Sequence, residues 1–434
     1  MLPWCLRNKR LMSTAAHVNC SVWEAVARNR SMLGQRTLLV VSGTGNDEEN
    51  ETNLRMQYEL SKIGIQVALF HCEDDVPHMD TIQHAYHLGS RVGVTSIVAL
   101  GYAGVIDTAK CTKYFLETNV LKLGAQYRNK GYKVPLLALP TTLSYTPFQP
   151  SVGLLNNEAT LLRRMPSPAP DHTHLDYSII SEYIAAHPTL LSLSSEDTFM
   201  CYQCAALAKS FDLLFAAVYG GMLNGSYDRR TTRQLARNGS FPPFEPVLNM
   251  RREDTSNSSA LENLYALSSA AGSLATGLQD GCGTDGRASL VEMVAALHLS
   301  PETSEPLPLS CIRVFGRVLE LIEEYKTDIN IDQVDGNDDE CVPLAAREAL
   351  DIVCAELAGV SRDEIRAYVE HVVACLPKRS FRLDKSSVAR RIEELLSEEE
   401  EDMKTSDEIS LKNINALIDV ARSDFFSDLS ESVQ

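Results

Sequence analysis

The chain has 434 residues, a net charge of −18 and ordinary globular proportions of apolar (44%) and charged (23%) residues. That length is enough for two or three domains. The acidic balance argues against a nucleic-acid surface, because phosphate contacts need clustered Lys and Arg. No window reaches the ~20 continuous apolar residues that cross a bilayer. We therefore expect a globular protein that binds neither nucleic acid nor membrane.

The beginning of the chain is basic and carries no acidic residue. Arg7, Lys9 and Arg10 lie within residues 1–20, and this composition fits either a mitochondrial transit peptide or a disordered N-terminus. Eleven cysteines are scattered along the chain without the spacing of a disulfide framework, which indicates reduced thiols. We expect an intracellular protein, mitochondrial or cytoplasmic.

Short apolar runs alternate with helical stretches in the first part of the chain. Continuous apolar runs indicate strands covered on both faces, and intervening helices of ten or more residues indicate parallel βαβ units. We predict an α/β nucleotide-binding domain with a parallel sheet over residues 21–180. The predicted strands are Thr37–Val41, Gln66–Phe70, Ile97–Leu100 and Val134–Leu139, and the predicted helices are Leu54–Ile63, Met79–Val92 and Val105–Leu121.

The second part of the chain has a different pattern. From Asp197 onward the strand signal disappears and apolar residues repeat at helical spacing. We predict an all-helical domain over residues 181–382 and an acidic, helical or disordered tail over 383–434. The predicted helices of this domain are Cys201–Tyr219, Ser259–Leu278, Ser289–Leu297, Cys311–Tyr325, Pro343–Ala358 and Arg362–Cys375.

The run Gly101–Lys110 is the most informative stretch of the chain. It follows the apolar run Ile97–Leu100 and opens a helix, and α/β proteins hold phosphate at such a turn between a strand and a helix N-terminus. A second strand ends similarly at Pro140–Thr142. The earlier turn Gly43–Gly45 is weaker evidence, because it lacks the third glycine of the dinucleotide fingerprint. Together these turns indicate a nucleotide-binding domain.

Two other patterns resemble metal sites and fail on inspection. The acidic loop Asp328–Asp339 has Gln333 where a calcium loop has glycine and ends in aspartate where that loop has glutamate. Cys201 and Cys204 share a helix face, but no second Cys or His pair follows at zinc spacing. We interpret these cysteines as buried structural residues.

Taken together, these elements resemble the iron-containing alcohol dehydrogenase family, which shares its fold with dehydroquinate synthase. The resemblance covers about residues 21–309. The family's Gly-Gly-Gly-Ser-x-x-Asp-x-x-Lys corresponds to Gly101–Lys110, and its Pro-Thr-Thr strand end corresponds to Pro140–Thr142. Its Asp-Pro-x-Leu segment resembles His187–Leu190, and its Glu-Asn-x-x-x-Ala-Ser-x-x-Ala-Gly helix resembles Glu262–Gly272.

The resemblance implies two binding sites. The first domain would bind NAD(P), and the helical domain would bind iron or zinc, which acts as a Lewis acid while hydride passes to nicotinamide. It also implies a homodimer. The implied cofactor-binding positions are Ser42, Gly101, Tyr102, Ala103, Gly104, Asp107, Thr141 and Thr142.

Several cofactor positions depart from the family's pattern. Tyr102 and Ala103 stand where the family has glycine, and their side chains obstruct close approach of backbone amides to a pyrophosphate. The family's Gly-Thr-Gly-Ser becomes the bulkier Ser144–Pro147. Ser42 replaces a frequent acidic residue that would repel a 2′-phosphate, so NADP would be tolerated if a dinucleotide binds.

The metal positions depart further. The family's Asp ligand falls on Cys204, and its first His ligand falls on Ala208. The third ligand falls near Thr284, and the last falls on His298 by ungapped spacing or on Asp285 by motif matching. At most one usual donor then remains beside a cysteine, which is too few to hold a catalytic divalent cation.

Three hypotheses remain. The chain is an inactive relative kept as a binding or assembly subunit, with another protein or a second copy as its partner. Alternatively, it is an active NAD(P)-dependent oxidoreductase with a rebuilt metal site, for which His172, His174 and His187 are candidate ligands. A third hypothesis is a non-metal enzyme that uses Lys209 or Asp107 in proton transfer. We favour the first, because Ala and Thr side chains do not bind such metals.

Overall fold

The computed structural model describes residues 21–43, 46–73, 77–118, 133–149, 181, 183–223, 244–281, 306–324, 348 and 350–376. Several predictions concern residues outside these ranges. Those outside the described residues are the N-terminal segment 1–20, His172, His174, Thr284, Asp285, the helix Ser289–Leu297, His298, the loop Asp328–Asp339 and the tail 383–434.

A parallel five-stranded sheet occupies the first half of the molecule. Its strands are β1 (Arg36–Ser42), β2 (Gln66–Cys72), β3 (Ser96–Gly101), β4 (Leu136–Pro140) and β5 (Tyr183–Ile184). They lie in the order β2-β1-β3-β4-β5, and each described pair is parallel. The direction of chain progression reverses between β1 and β3, which makes that position a topological switch point.

Helices flank the sheet, and beyond Ile184 the described elements are all helical. In chain order they are α1 (Val22–Arg28), α2 (Arg30–Leu33), α3 (Asp47–Lys62), α4 (Met79–Val92), α5 (Ala103–Thr118), α6 (Pro188–Leu191), α7 (Glu196–Leu223), α8 (Glu245–Leu248), α9 (Ser258–Gly281), α10 (Leu307–Glu324) and α11 (Arg362–Cys375). Short 3-10 turns lie at Thr146–Phe148 and Arg252–Ser256, and a π-helical turn lies at Val353–Ala358. We call residues 21–184 the sheet half and residues 188–376 the helical half. This arrangement confirms the predicted fold class.

The continuous apolarity of the strands has a direct structural cause. Along β1, Leu38 and Val40 pack on one face of the sheet against α5, whereas Leu39 and Val41 pack on the other face against α1 and α3. All four side chains are fully buried. Strands covered on both faces read as unbroken apolar runs rather than as alternating ones.

The bounds of two helices were predicted well, and the start of a third was predicted poorly. The predicted helices Met79–Val92 and Arg362–Cys375 coincide with α4 and α11. By contrast, α3 begins well before the predicted Leu54, because the Asn46 side chain accepts a hydrogen bond from the Glu49 N–H at 2.9 Å. The acidic first turn of α3 also suits the positive end of the helix dipole.

The two halves share one hydrophobic cluster. It includes Leu38 on β1, Val105 on α5, Ala205 on α7, Leu264 on α9 and Val369 on α11. The two halves therefore share a continuous apolar interior on the side of the sheet that α5 covers.

Two properties bear on the broad class of protein. In the described part of the chain, no helix is both long and apolar enough to span a membrane. The described cysteines are free thiols, as their irregular spacing predicted.

Candidate functional site

The predicted cofactor residues meet at the carboxyl edge of the sheet. Ser42 ends β1, Gly101 ends β3, and Thr141 follows β4. Val41 pairs with Leu100 across β1 and β3, and the Thr141 N–H donates to the Gly101 carbonyl at 3.0 Å. Ligands of open α/β sheets bind outside the carboxyl ends of the strands at the switch point. The crevice beside β1, β3 and β4 is therefore the candidate nucleotide site.

The turn between β3 and α5 requires glycine for a backbone reason. Gly101 has a φ of +156°, and a Cβ on it would lie 2.8 Å from Val105 Cγ2. Residues with side chains rarely adopt that conformation. Helix α5 then begins at once, with the Ile106 N–H donating to the Tyr102 carbonyl at 3.2 Å. The glycine is thus needed for the fold whether or not a ligand binds.

The start of α5 fits a pyrophosphate poorly. Ala103 is 3% exposed, Gly104 is buried, and Tyr102 is half-buried against the shared hydrophobic cluster. A helix N-terminus holds phosphate only where ligand oxygens reach its backbone amides. Because protein already surrounds this turn, those amides are not accessible to a dinucleotide as the structure stands.

Lys110, at the end of the sequence motif, is fully buried and faces the loop that follows β4. Its Nζ donates to the carbonyl oxygens of Thr146 and Gln149, the latter at 2.9 Å, and lies 3.5 Å from the Asp107 carboxylate. Burial lowers the pKa of Lys110, and the nearby carboxylate opposes that shift. The structure therefore places Asp107 and Lys110 in a buried network that holds this loop.

The loop itself leaves two buried polar atoms without a hydrogen bond among the described residues. These are Thr142 Oγ1 and Gln149 Oε1, in side chains that are 2% exposed each. The bulkier residues Ser144–Pro147, which depart from the family's glycines, are buried as well. The carboxyl edge of β4 is therefore lined by protein rather than open to solvent.

The two described positions that the resemblance aligns with metal ligands lie in an apolar interior. Cys204 and Ala208 are one turn apart on α7, both fully buried in the cluster that also contains Leu207 and Phe211. Burial, and then the neighbouring Cys201, raises the pKa of the Cys204 thiol well above its usual value. Metals bind the thiolate, and alanine offers no donor at all. These two positions do not fit a divalent cation.

A tyrosine that sequence reasoning missed adjoins these thiols. Tyr368 on α11 packs against the shared cluster, and its pKa is raised well above its usual value by burial and by Cys204 and Cys201. No signal in a single sequence links position 368 to position 204. Among the residues that the structure describes, no three His, Cys, Asp or Glu side chains lie close enough to hold a metal ion.

The described candidate ligand of the rebuilt-site hypothesis has a structural role. His187 is the N-cap of α6, where its Nδ1 accepts a hydrogen bond from the Thr189 N–H at 3.1 Å. Aspartate is a preferred residue for that capping role. The likeness of His187–Leu190 to the family's Asp-Pro-x-Leu segment therefore follows from helix capping.

Lys209, the candidate proton-transfer residue of the third hypothesis, is also buried and packs against an aromatic ring. It is 2% exposed, and its Nζ lies 5.6 Å from the centre of the Tyr145 ring. An ammonium over an aromatic face is attracted by the ring quadrupole. The sequence did not reveal this contact, which joins α7 to the loop after β4.

Comparison with known proteins agrees with the resemblance predicted from the motifs. Residues 15–161, about a third of the chain, match the family model described as iron-containing alcohol dehydrogenase. No curated protein sequence matches the chain. The resemblance to this family is thus confirmed over residues 15–161.

Solved structures show the same fold over nearly the whole chain. An archaeal halo-thermophilic alcohol dehydrogenase from a Red Sea brine pool, bound to NZQ, is 12% identical with a TM-score of 0.58, covering 92% of this chain and 94% of its own. An iron-containing alcohol dehydrogenase from Thermotoga maritima is 16% identical with a TM-score of 0.55, covering 92% and 95%. NADH-dependent butanol dehydrogenase A from the same organism is 13% identical with a TM-score of 0.52, covering 92% and 94%. At these identities the likeness shows the fold alone.

Proposed function

We propose that this relative of the iron-containing alcohol dehydrogenases has lost the catalytic metal and serves as a binding or assembly subunit. In the family that it resembles, a divalent cation polarises the alcohol oxygen. The proposal means that this chain does not carry out that metal-dependent hydride transfer.

One observation carries the proposal: the two described metal positions are part of the hydrophobic interior. A catalytic cation needs several donors and one coordination position open to substrate. Cys204 and Ala208 supply one thiol and no other donor, in side chains without solvent exposure. The apolar cluster around them is the packing expected where no ion has to be held.

The dinucleotide crevice supports the same conclusion independently. The turn at Gly101 is present, but Ala103 and Gly104 are buried where a pyrophosphate would need accessible amides. Since the fold is kept, and the described positions for both groups needed for hydride transfer lack suitable contacts, we propose a role that uses the outer surface. A homodimer or a complex with a different protein would fulfil it.

A thermal-shift experiment on the full chain tests the proposal. The chain is first treated with a chelator and then titrated with Zn²⁺, Co²⁺ or anaerobic Fe²⁺, with the Thermotoga maritima iron-containing enzyme as the positive control. A ligand that binds only the folded state at 100 times its Kd adds about 2.7 kcal/mol of stability. We expect a saturable rise in Tm for the control and none for this chain.

A saturable rise in this chain, accompanied by alcohol oxidation with NAD⁺ or NADP⁺, would contradict the proposal. It would instead support the active oxidoreductase with a rebuilt metal site. Mg²⁺ at the same concentration controls for general ionic effects on Tm, because it prefers oxygen ligands.

A further inference from the structure

The segment Leu143–Gln149, which we call the post-β4 segment, lies where a ligand of this sheet would be expected. It begins three residues after the end of β4 and adjoins the carboxyl edge that carries Gly101 and Thr141. All seven of its residues are buried, and Tyr145 has no exposed surface. We infer that this segment is a built-in occupant of the crevice that excludes a nicotinamide dinucleotide from it.

The segment is fixed to the sheet half by a buried cation. The Lys110 ammonium, held near the Asp107 carboxylate, donates to two carbonyls of the segment, those of Thr146 and Gln149. A hydrogen bond from a charged donor is stronger than a neutral one, and both ends here are shielded from water. Helix α5 therefore holds the post-β4 segment in place through the Lys110 side chain.

The segment is fixed to the helical half by side chains from three helices, one of them α7, whose Lys209 Nζ lies 5.6 Å from the centre of the Tyr145 ring. On α9, the Ser268 hydroxyl donates to the Leu143 carbonyl at 3.4 Å, and the Tyr265 ring meets the Phe148 ring edge-on with centroids 5.0 Å apart. On α10, Cys311 Sγ lies 3.6 Å from the Tyr145 hydroxyl. The segment thus bridges the two halves of the molecule.

A glycine on α9 shows how closely the segment is packed. A Cβ on Gly272 would lie 2.5 Å from Phe148 Cβ and 2.8 Å from the Phe148 carbonyl carbon. No side chain fits at position 272 unless the backbone of the segment moves. Such close approach is the packing of a protein interior rather than that of a loop that opens to admit a ligand.

A dinucleotide needs a concave crevice of several hundred Å³ beside the carboxyl ends of the strands. On the β4 side, Tyr145 and Phe148 are buried in the hydrophobic cluster that the two halves share, and under the inference their rings fill the space that such a crevice would need. The inference rests on the proposed function and deepens it, because it names the structural feature that prevents cofactor entry. It differs from metal loss, since it concerns a separate ligand and separate residues.

Native-state hydrogen exchange on the full chain is the first test. If the post-β4 segment is an interior element, its amides exchange only when the core opens, with the same denaturant dependence as the amides of β4 and α5. Addition of millimolar NADH or NADPH leaves this exchange unchanged. Fast exchange of the segment by local opening, while β4 stays protected, would overturn the inference.

Nucleotide binding to segment variants is the second test. In Tyr145→Ala/Phe148→Ala the two rings are removed, and we expect a saturable thermal shift with NADH or NADPH that the parent lacks. The matched control Tyr145→Phe keeps the ring and loses only the hydroxyl near Cys311, so it stays without a shift. A folded double variant that binds neither nucleotide would refute exclusion by the segment.

The outcomes separate this inference from the proposed function. Tight nucleotide binding by the parent, with the segment still protected from exchange, would overturn the inference and leave metal loss untouched. Metal binding in the chelator experiment would overturn the proposed function and leave the nucleotide result as it is. If the double variant does not fold, the exchange measurement on the parent decides alone.

Discussion

By the resemblance, the turn at Gly101 aligns with the family's cofactor motif, and Cys204 and Ala208 on α7 align with two of its metal ligands. The proposed function implies that the two regions diverged differently, because Gly101 matches the family's glycine whereas Cys204 and Ala208 stand where the family has Asp and His. Gly101 is required by its φ of +156° and by Val105 Cγ2, which a Cβ would approach to 2.8 Å. Cys204 and Ala208 are fully buried in an apolar cluster, where a carboxylate or an imidazole would have a desolvation cost.

This difference teaches which motifs report on fold and which report on chemistry. A residue that satisfies a backbone requirement persists after the ligand is gone, because losing it would destabilise the fold. A metal donor without its metal is a buried polar group with a desolvation cost, so apolar replacement is favourable. The glycine turn is therefore evidence of fold, whereas the loss of donors that we propose bears on function.

The largest expected loss of stability in the sheet half comes from removing the Lys110 ammonium. Lys110→Met leaves the Asp107 carboxylate buried without its ammonium partner and removes the donor to two carbonyls. We expect a loss of about 3–5 kcal/mol in the free energy of unfolding, measured by urea denaturation. Lys62→Met is the matched control, because Lys62 and Glu59 form the same i,i+3 pair at 3.7 Å on the surface. That control should cost about 1 kcal/mol or less, and equal losses in the two variants would contradict the account.

Introducing a carboxylate at position 204 on α7 tests whether the helical half can still hold a metal ion. Cys204→Asp places a carboxyl group among apolar side chains, and we expect it to lower the free energy of unfolding by about 3 kcal/mol. Cys204→Ala, which adds no polar group, should cost about 1 kcal/mol. Added Zn²⁺ is expected to leave the midpoint of Cys204→Asp unchanged. Recovery of the parent's stability by Zn²⁺ would show that the remaining ligands of a metal site are present.

Two alanine variants separate the cost of the backbone conformation at Gly101 from the cost of the contact between a Cβ and Val105. Gly101→Ala adds both a strained conformation and the contact with Val105, so we expect a loss of about 3 kcal/mol in unfolding experiments. Gly359→Ala provides the control, because Gly359 has a φ of +67° and no atom within 4 Å of its Cβ position. It should cost about 1–2 kcal/mol from the left-handed conformation alone. A Gly101→Ala variant as stable as the parent would remove the structural reason for the motif.

The dependence of stability on alkaline pH tests whether water is excluded from the Cys354 thiol in the helical half. Burial raises the pKa of the Cys354 thiol from 9.0 to about 12, with a smaller contribution from the nearby Asp351 carboxylate. A raised folded-state pKa gives stability that is fully present below pH 9 and is lost as the pH rises toward 12. Between these values the parent should lose about 1 kcal/mol per pH unit more than Cys354→Ala in chemical denaturation. Identical pH dependence in the two proteins would indicate that this thiol is hydrated in the folded state.

Much of the fold could be predicted from the sequence because the fold depends on local patterns. Continuous apolar runs gave the parallel strands, and helical spacing gave α4 and α11 at their observed bounds. The start of α3 was wrong, because a side-chain cap at Asn46 determines it rather than apolar periodicity. The family motifs also indicated that Gly101 and Thr141 belong to one site, and parallel pairing brings them together.

The contacts that close the site could not be predicted, because they join residues far apart in the chain. Lys110 was part of a recognised motif, but its carbonyl partners in the post-β4 segment depend on tertiary packing. The same holds for Tyr145 beneath Lys209 and for Tyr368 near Cys204. A single sequence carries residue types and spacing, and these contacts require knowledge of which helices meet.

The most direct test of the central claim is the metal content of the full chain. The protein would be produced without a metal-binding tag in medium supplied with iron and zinc, and its metals would be quantified by plasma mass spectrometry. We expect iron and zinc far below one ion per chain, because Ala208 has no donor atom and Cys204 lies in a fully buried apolar cluster. One tightly held iron or zinc ion per chain would contradict it.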